Sequence, residues 1–274
     1  MNIYLVGLGL IGGSLAKALI ASDRVCGWDT DAETRRAAAA LGVEIRSPDA
    51  DLADIDIALI GLYPAATVAT VATVAPKLGA GKIVVDLCGV KRTVVAAAAE
   101  ICAAASGHFI GGHPMAGREI SGFGAARADL FVKASMLLCP PEPTADAALA
   151  TVKQLFRRAG FQQIVITTPD EHDRLIAHTS QLAHLLSSSY VKSPAARRHA
   201  GFSAGSFRDL TRVAKMNTDL WTELFLANRD NLTAELDRVI AELSAYRTAV
   251  AANDAPRLRQ LIDAGNAAKE GLDI

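Results

Sequence analysis

The sequence predicts an α/β protein with an N-terminal Rossmann-type, doubly wound sheet and an all-helical C-terminal domain. Three observations carry this. A glycine fingerprint stands between the first apolar strand and the first helix. Strand-length apolar runs then alternate with alanine-rich helical stretches, which is the pattern of a parallel sheet covered on both faces. From Thr168 onward no strand pattern recurs. The expected division is residues 1–167 for the dinucleotide-binding domain and 168–274 for the helical one.

Asn2-Ile3-Tyr4-Leu5-Val6 is a buried strand pattern that runs into Gly7-Leu8-Gly9-Leu10-Ile11-Gly12 and the helical Ser14–Ile20. In this strand–glycine–helix context the first glycine makes the turn. The second lets backbone approach a pyrophosphate, and the third lets helix and strand pack closely. Phosphates then sit on the helix N-terminus, where unpaired N–H groups and the dipole favour an anion. Gly7, Gly9, Leu10, Ile11 and Gly12 are therefore candidate cofactor contacts. Val25–Trp28 is the next strand, and Asp29 ends it at the place of the acid that accepts from both ribose hydroxyls. A carboxylate there repels a 2′-phosphate, so NAD is expected over NADP. Arg35 and Arg36 could serve such a phosphate, but at helical spacing they are expected to form a solvated face.

Further strands are read at Ile55–Ile60 and Lys82–Asp86, with helices at about 65–75 and 94–105. Leu62-Tyr63-Pro64 and Asp86–Lys91 leave the C-terminal ends of these strands, the edge where open α/β sheets bind ligands. Leu62 and Asp86 join the expected cofactor site. The next apolar pair, Phe109-Ile110, leads into Gly111-Gly112-His113-Pro114-Met115-Ala116-Gly117, read as a strand end opening into a tight loop. Its imidazole shares the crevice with the dinucleotide, which makes His113 the candidate general base. Met136–Cys139 and Gln163–Ile166 are the last strands, around a helix at about 145–159.

Thr168-Pro169-Asp170-Glu171 is a helix start, with Thr as N-cap, Pro at N1 and Glu at N3. The helix is expected to reach about Lys192. His178, Gln181, His184, Leu185 and Ser188 then fall on adjoining parts of one face, either as satisfied core polars or as a polar floor to the crevice. After a loop at 201–207, Arg208 and Arg212 stand four apart on a helix and can point one way. They read either as surface ion-pair partners or as guanidinium ligands for a carboxylate. The terminal helices are expected to pack on a twin subunit.

Composition narrows the class. Of 274 residues, 51% are hydrophobic and 21% charged, enough apolar matter for a sizeable core. A net charge of −1 argues against nucleic acid or an anionic membrane as partner. Cys26, Cys88, Cys102 and Cys139 show no metal or disulfide spacing and read as reduced thiols of a cytoplasmic protein. No metal site, signal peptide or transmembrane segment is expected.

These residues together resemble the prephenate/arogenate dehydrogenase family of tyrosine biosynthesis. The resemblance runs nearly end to end. It rests on Gly7–Leu15, on Gly112-His113-Pro114-Met115-Ala116-Gly117 with Glu119 and Gly122, on Asp129-Leu130-Phe131, on His172-Asp173, and on Phe207–Ala214 with Trp221. It implies an N-terminal Rossmann domain with a helical C-terminal dimerisation domain, and NAD-dependent oxidative decarboxylation of prephenate or arogenate. It implies that His113 takes the proton of the ring 4-hydroxyl, that Arg212 binds a substrate carboxylate and that His184 lies on the substrate side chain. Glu119 and Asp209 would neighbour the arginine; Gln181, from the helix face, and Lys91, from the loop after Asp86, are further candidate substrate contacts. The sequence departs from the family pattern twice. Where the family often has Gly-Ser-Val-Lys, with a serine that helps orient the histidine, this chain has Cys88-Gly89-Val90-Lys91. Where it often has Ser-His-Leu-Pro-His, this chain has Ser180-Gln181-Leu182-Ala183-His184. No regulatory domain is expected after the helices. Two other readings stand beside this one. A β-hydroxyacid dehydrogenase or imine reductase would place a catalytic Lys or Asp on the inter-domain helix. A nicotinamide-sensing regulator would need no base beside its cofactor.

Overall fold

The computed structural model describes residues 1–118 and 120–272. The chain divides into two compact units, Met1–Asn228 and a second beginning at Arg229. The first unit opens with β1 (Asn2–Val6), α1 (Leu10–Leu19), β2 (Arg24–Trp28), α2 (Ala32–Ala40), β3 (Glu44–Ile45), β4 (Ile57–Ile60), α3 (Pro64–Leu78), β5 (Ile83–Asp86) and α4 (Arg92–Ala104). It continues with β6 (His108–Pro114), β7 (Ser135–Cys139), α5 (Asp146–Arg158) and β8 (Gln163–Ile166). The strands form one eight-stranded sheet in the order β3-β2-β1-β4-β5-β6-β7-β8. Pairing is parallel from β3 to β6 and again between β7 and β8, while β6 and β7 run antiparallel. The doubly wound α/β architecture read from the sequence is therefore present. The two-residue β3, too short for a periodic signal, was not anticipated.

Both faces of the sheet are buried, and β1 shows it residue by residue. Ile3 and Leu5 pack with Leu15 and Leu19 of α1 and Leu155 and Phe156 of α5. Tyr4 and Val6 face the other way, toward Val71 and Val74 of α3 and Val94 and Ala98 of α4. Each such side chain contributes about 1.5–3 kcal/mol by leaving water, which fixes the register of strands whose carboxyl ends form the ligand edge.

The segment around His113 is a strand rather than a loop. β6 extends through Pro114 because β7 takes up Gly111, Gly112, His113 and Pro114 in antiparallel register. Gly112 makes this possible. A Cβ there would lie 2.6 Å from the Asp86 carbonyl oxygen and 2.7 Å from Met136 Cε.

After β8 the first unit is helical. α6 (Pro169–Ile176) is capped by Thr168, whose hydroxyl accepts from Glu171 N–H. A π-helical segment, Ala177–Leu182, joins it to α7 (Ala183–Tyr190), and α8 (Gly205–Thr211) and α9 (Thr218–Ala227) follow. The wide turn breaks the expected stripe. Gln181 is buried while His178 is exposed, because the π segment shifts the helix register between them. The second unit contains α10 (Arg229–Ala251) and α11 (Ala255–Glu270). Tyr246 donates to the Leu261 carbonyl across this pair at 2.9 Å. Among the described residues no helix is long and apolar enough to cross a membrane.

The glycine turn yields a stability test. A Cβ at Gly12 would stand 1.9 Å from the Gly7 carbonyl oxygen, whereas one at Gly9 meets nothing within 4 Å. Gly12→Ala should cost about 1–3 kcal/mol or more by overpacking, and Gly9→Ala about 0.5 kcal/mol or less. Urea denaturation of the two variants checks this, and equal losses would contradict the geometry.

Candidate active site

The glycine turn lies at the carboxyl end of β1. Gly7 adopts φ +86°, where a side chain would be strained and would strike the Gly61 carbonyl. α1 then starts at Gly9 with no side-chain cap and no acidic residue in its first turn. The space above Gly9 is open, so this terminus fits a pyrophosphate by the N–H and dipole argument. Asp29 sits alongside and accepts from Leu8 N–H through Oδ2 at 2.8 Å and from Asp31 N–H through Oδ1 at 2.9 Å. Leu62, at the end of β4, packs beside Gly7. Arg35 is not on a solvated face. Its guanidinium lies 4.5 Å from the centre of the Trp28 ring and donates to the Asp29 and Thr30 carbonyls, while Arg36 is exposed beside Glu33.

His113 projects from β6 into a polar chain. Its Nδ1 is 2.9 Å from His172 Nε2, and His172 Nδ1 is 2.7 Å from Asp173 Oδ1. The chain has one consistent protonation pattern at neutral pH. The Asp173 carboxylate only accepts, so His172 carries its proton on Nδ1. Its Nε2 is then an acceptor, His113 carries its proton on Nδ1, and His113 Nε2 is left with a free lone pair. Burial, then the neighbouring His172 and Lys91, hold His113 well below its ordinary value of 6.5. Burial also lowers His172, against the pull of Asp173. Burial acts to raise Asp173, but His172 and the backbone N–H groups of Arg92 and Lys91 outweigh it and keep the carboxyl below its usual range. Those N–H groups open α4 and donate at 2.9 and 2.7 Å, so the carboxylate of α6 neutralises the positive end of α4.

Two residues expected at ligands are instead interior. Lys91 and Asp86 are both fully buried and paired with each other. Asp86 also accepts from Cys88 N–H at 2.9 Å and Gly112 N–H at 3.2 Å. A buried ammonium needs its counter-ion close, so neither group presents charge to a ligand. Gln181 is likewise interior, donating to the Leu224 carbonyl at 3.2 Å and accepting from Asn228 at 2.9 Å. Asn228 also donates to the Asp173 carbonyl at 2.8 Å, which locks α9 to α6.

His184 and Arg212 do come together. His184 Nδ1–H donates to the Val213 carbonyl at 2.8 Å, leaving Nε2 as an acceptor, and its ring lies 3.9 Å from that of Trp221. Burial lowers its basicity, and the nearby Arg212 charge lowers it further despite the bond to Val213. α8 ends at Thr211, with Arg212 as its exposed C-cap and Arg208 and Asp209 exposed on the turn before. α9 links this cluster to His113. Trp221 meets His184, and Leu224, one turn on, covers Gly89, where a Cβ would lie 3.3 Å from Leu224 and 3.9 Å from His113 Nε2. The expected site residue Glu119 lies outside the described residues. All four cysteines are free and buried, and burial pushes the Cys88, Cys102 and Cys139 thiols to about 12. They are not nucleophiles. Among the described residues, no three His, Cys, Asp or Glu side chains could hold a metal ion.

Two family models match, one described as the prephenate dehydrogenase nucleotide-binding domain over residues 13–165 and the other as the prephenate dehydrogenase dimerization domain over 168–264. The chain belongs to the prephenate dehydrogenase family. It is 30% identical to a prephenate dehydrogenase of Bacillus subtilis, with 100% of this chain and 76% of that one aligned. A Synechocystis arogenate dehydrogenase structure superposes with a TM-score of 0.81 at 27% identity, covering 98% of this chain and 99% of the other. A prephenate dehydrogenase from A. aeolicus, solved with hydroxyphenyl propionate and NAD+, shares the fold with a TM-score of 0.85 at 23% identity. That match covers 100% of this chain and 98% of the other.

Sequence reasoning about this family member missed the role of His172. Its contact with His113 spans 59 positions, and the His-Asp pair shows no spacing that points at His113. Asn228 and Leu224 escaped for the same reason.

The buried histidines predict a stability profile. Their folded-state affinity for protons is below the unfolded value, so the unfolded chain takes up protons first as pH falls. Stability is full above the ordinary histidine value of 6.5 and is lost below it, down through the folded values. Each histidine contributes a slope of up to about 1.4 kcal/mol per pH unit. Urea unfolding at pH 7.5 and 5.5 should show this loss in the wild type and a shallower one in His172→Asn. A flat profile would contradict the burial of neutral imidazoles.

Proposed function

We propose that the protein catalyses NAD-dependent oxidative decarboxylation of prephenate, or of its amino analogue arogenate, in tyrosine biosynthesis, with His113 Nε2 as the base. The observation that carries this reading is the His113–His172–Asp173 chain, which leaves one unprotonated imidazole nitrogen at the ligand edge of the sheet. A sensor without turnover has no need of such a base. The inter-domain helix presents a buried amide and a histidine, Gln181 and His184, not the Lys or Asp of a β-hydroxyacid dehydrogenase.

The chain's own residues account for each requirement. Gly7, Gly9, Leu10, Ile11 and Gly12 would hold the pyrophosphate, with Leu62 beside them, and Asp29 the adenosine ribose through the second lone pairs of its oxygens. When bound, NAD accepts the hydride that leaves C4 of the ring. His113 Nε2 takes the 4-hydroxyl proton as the C4–O bond becomes a carbonyl. The ring carboxylate then leaves as CO2, its bonding pair flows through the diene to O4, and the phenolate recovers the proton from His113. The net products are 4-hydroxyphenylpyruvate (or tyrosine), CO2 and NADH. Asp173, ionised behind His172, stabilises the transient positive charge on the pair. Arg212 meets a substrate carboxylate, with Asp209 and Glu119 as its neighbours, and His184 Nε2 meets the substrate side chain.

Residues 1–167 make up the dinucleotide domain in this reading and 168–274 the domain that completes the site and dimerises through its helices. Four buried free cysteines accord with a reducing compartment, the cytoplasm.

Incubation with NAD and prephenate should produce NADH and CO2 in equal amounts, with arogenate and NADP as parallel arms. No NADH from either substrate would end the proposal. His113→Ala should lower kcat by about 10²–10⁴-fold and leave NAD affinity nearly unchanged, since the glycine turn is untouched. A variant with normal kcat would remove His113 from the mechanism.

Arg212→Ala should mainly raise KM for prephenate, because losing one partner of a desolvated charge pair costs roughly 2–5 kcal/mol. Arg212→Lys should recover only part, since an ammonium lacks the planar fork. Steady-state kinetics with Arg208→Ala as control checks the assignment, which fails if Arg212→Ala binds prephenate as the wild type does.

A further inference from the structure

We infer that His172 is the positioning residue for the base: backed by Asp173, it holds His113 in the Nδ1–H tautomer. The inference rests on the reading of His113 as the base and deepens it.

Neutral imidazole exists as two tautomers, and only one leaves Nε2 able to accept a proton. Something must select it. The partner at Nδ1 is His172 Nε2 at 2.9 Å, and His172 is itself 1% exposed and tied to Asp173 Oδ1 at 2.7 Å. The direction of the chain is set at its far end. Asp173 accepts from Lys91 N–H and Arg92 N–H as well as from His172, so its carboxylate is satisfied as an anion. A hydroxyl, which donates or accepts equally well, could not impose this direction by itself. Position 89 faces the other nitrogen: a Cβ there would lie 3.9 Å from His113 Nε2, and Leu224 closes that space at 3.3 Å.

The charged groups around the pair are consistent with this. Lys91 and Arg92 come from the start of α4, Asp86 from the end of β5 and Asp173 from α6. Lys91 is neutralised by Asp86, and Arg92 Nε lies 3.6 Å from Asp173 Oδ2. At Nδ1 His113 donates to His172 Nε2. The geometry resembles the aspartate–histidine arrangement of hydrolases in logic: the carboxylate fixes the tautomer and is not itself protonated.

The test combines histidine side-chain 15N NMR with kinetics of the full chain, the His113 signals being assigned by their loss in His113→Ala. The wild type, without substrate and at neutral pH, should show His113 with Nδ1 protonated and Nε2 bare. His172→Asn keeps a donor for Asp173 but removes the acceptor for His113. It should give a mixed tautomer at His113 and lower kcat about 10²-fold, the low end for a positioned base, with the prephenate KM within roughly twofold. His172→Gln can place its carbonyl near the lost Nε2 and should recover about tenfold of that loss. A purely structural role would move melting temperature and KM without this tautomer change or rescue. A wild-type His113 protonated on Nε2 would overturn the inference, as would His172→Asn with wild-type kcat. The NMR arm needs no substrate. If the wild type failed to oxidise prephenate, the functional reading would fall while the tautomer result still judged this one.

Discussion

The carboxylate of Asp173 is the interaction on which the site depends. Nearly removed from solvent, it accepts from the N–H groups of Lys91 and Arg92 at the start of α4 and from the Nδ1–H of His172, while the main-chain carbonyl of the same residue accepts from the Asn228 amide. Each charge-assisted bond contributes roughly 1.5–3 kcal/mol, which offsets the cost of burying the anion. One residue therefore joins a sheet helix, the strand bearing His113 (through His172) and the end of α9, which covers the crevice. The functional consequence follows from the acceptor-only character of a carboxylate, which propagates through two imidazoles to fix where the last lone pair points.

Charge is placed sparingly around that lone pair. The Lys91–Asp86 pair beneath β6 cancels itself, and both histidines of the chain are held neutral chiefly by burial. Arg212 stands near His184, on the other cluster touched by α9. α9 is also tied to the loop after β4, where Glu223 accepts from Ala65 N–H at 2.5 Å and Asn217 pairs with Tyr63 at 3.3 Å. The residues assigned to cofactor, base and substrate carboxylate are thus set by contacts of a few neighbouring elements within one compact unit.

The parts legible in the sequence were those written in local patterns. The glycine turn, the alternation of strands and helices and the capped start of α6 depend on neighbours in the chain, and the structure has them where the residues place them. His113 stood out because glycine and proline frame it, although antiparallel pairing with β7 makes its surroundings a strand. What was hidden depends on contacts distant in sequence. Lys91 reads as a loop cation until Asp86 is seen against it, and Gln181 as a crevice residue until the π segment turns it toward Asn228. His172 reads only as half of a His-Asp motif, with no role, until the fold brings it to His113. The missing serine at Gly89 was visible as a gap, but the contact at His113 Nδ1 lay outside any local signal.

The most direct test of the account is the pH dependence of kcat/KM for prephenate with saturating NAD, which reports ionisations of the form of the enzyme that captures substrate. As the proposed base, His113 would act only when neutral, so activity should fall as pH drops through its folded value, and burial beside His172 and Lys91 sets that value below 6.5. The account predicts an acidic limb displaced below 6.5, the ordinary histidine value. A limb centred at or above 6.5 would contradict a base held neutral by this buried chain.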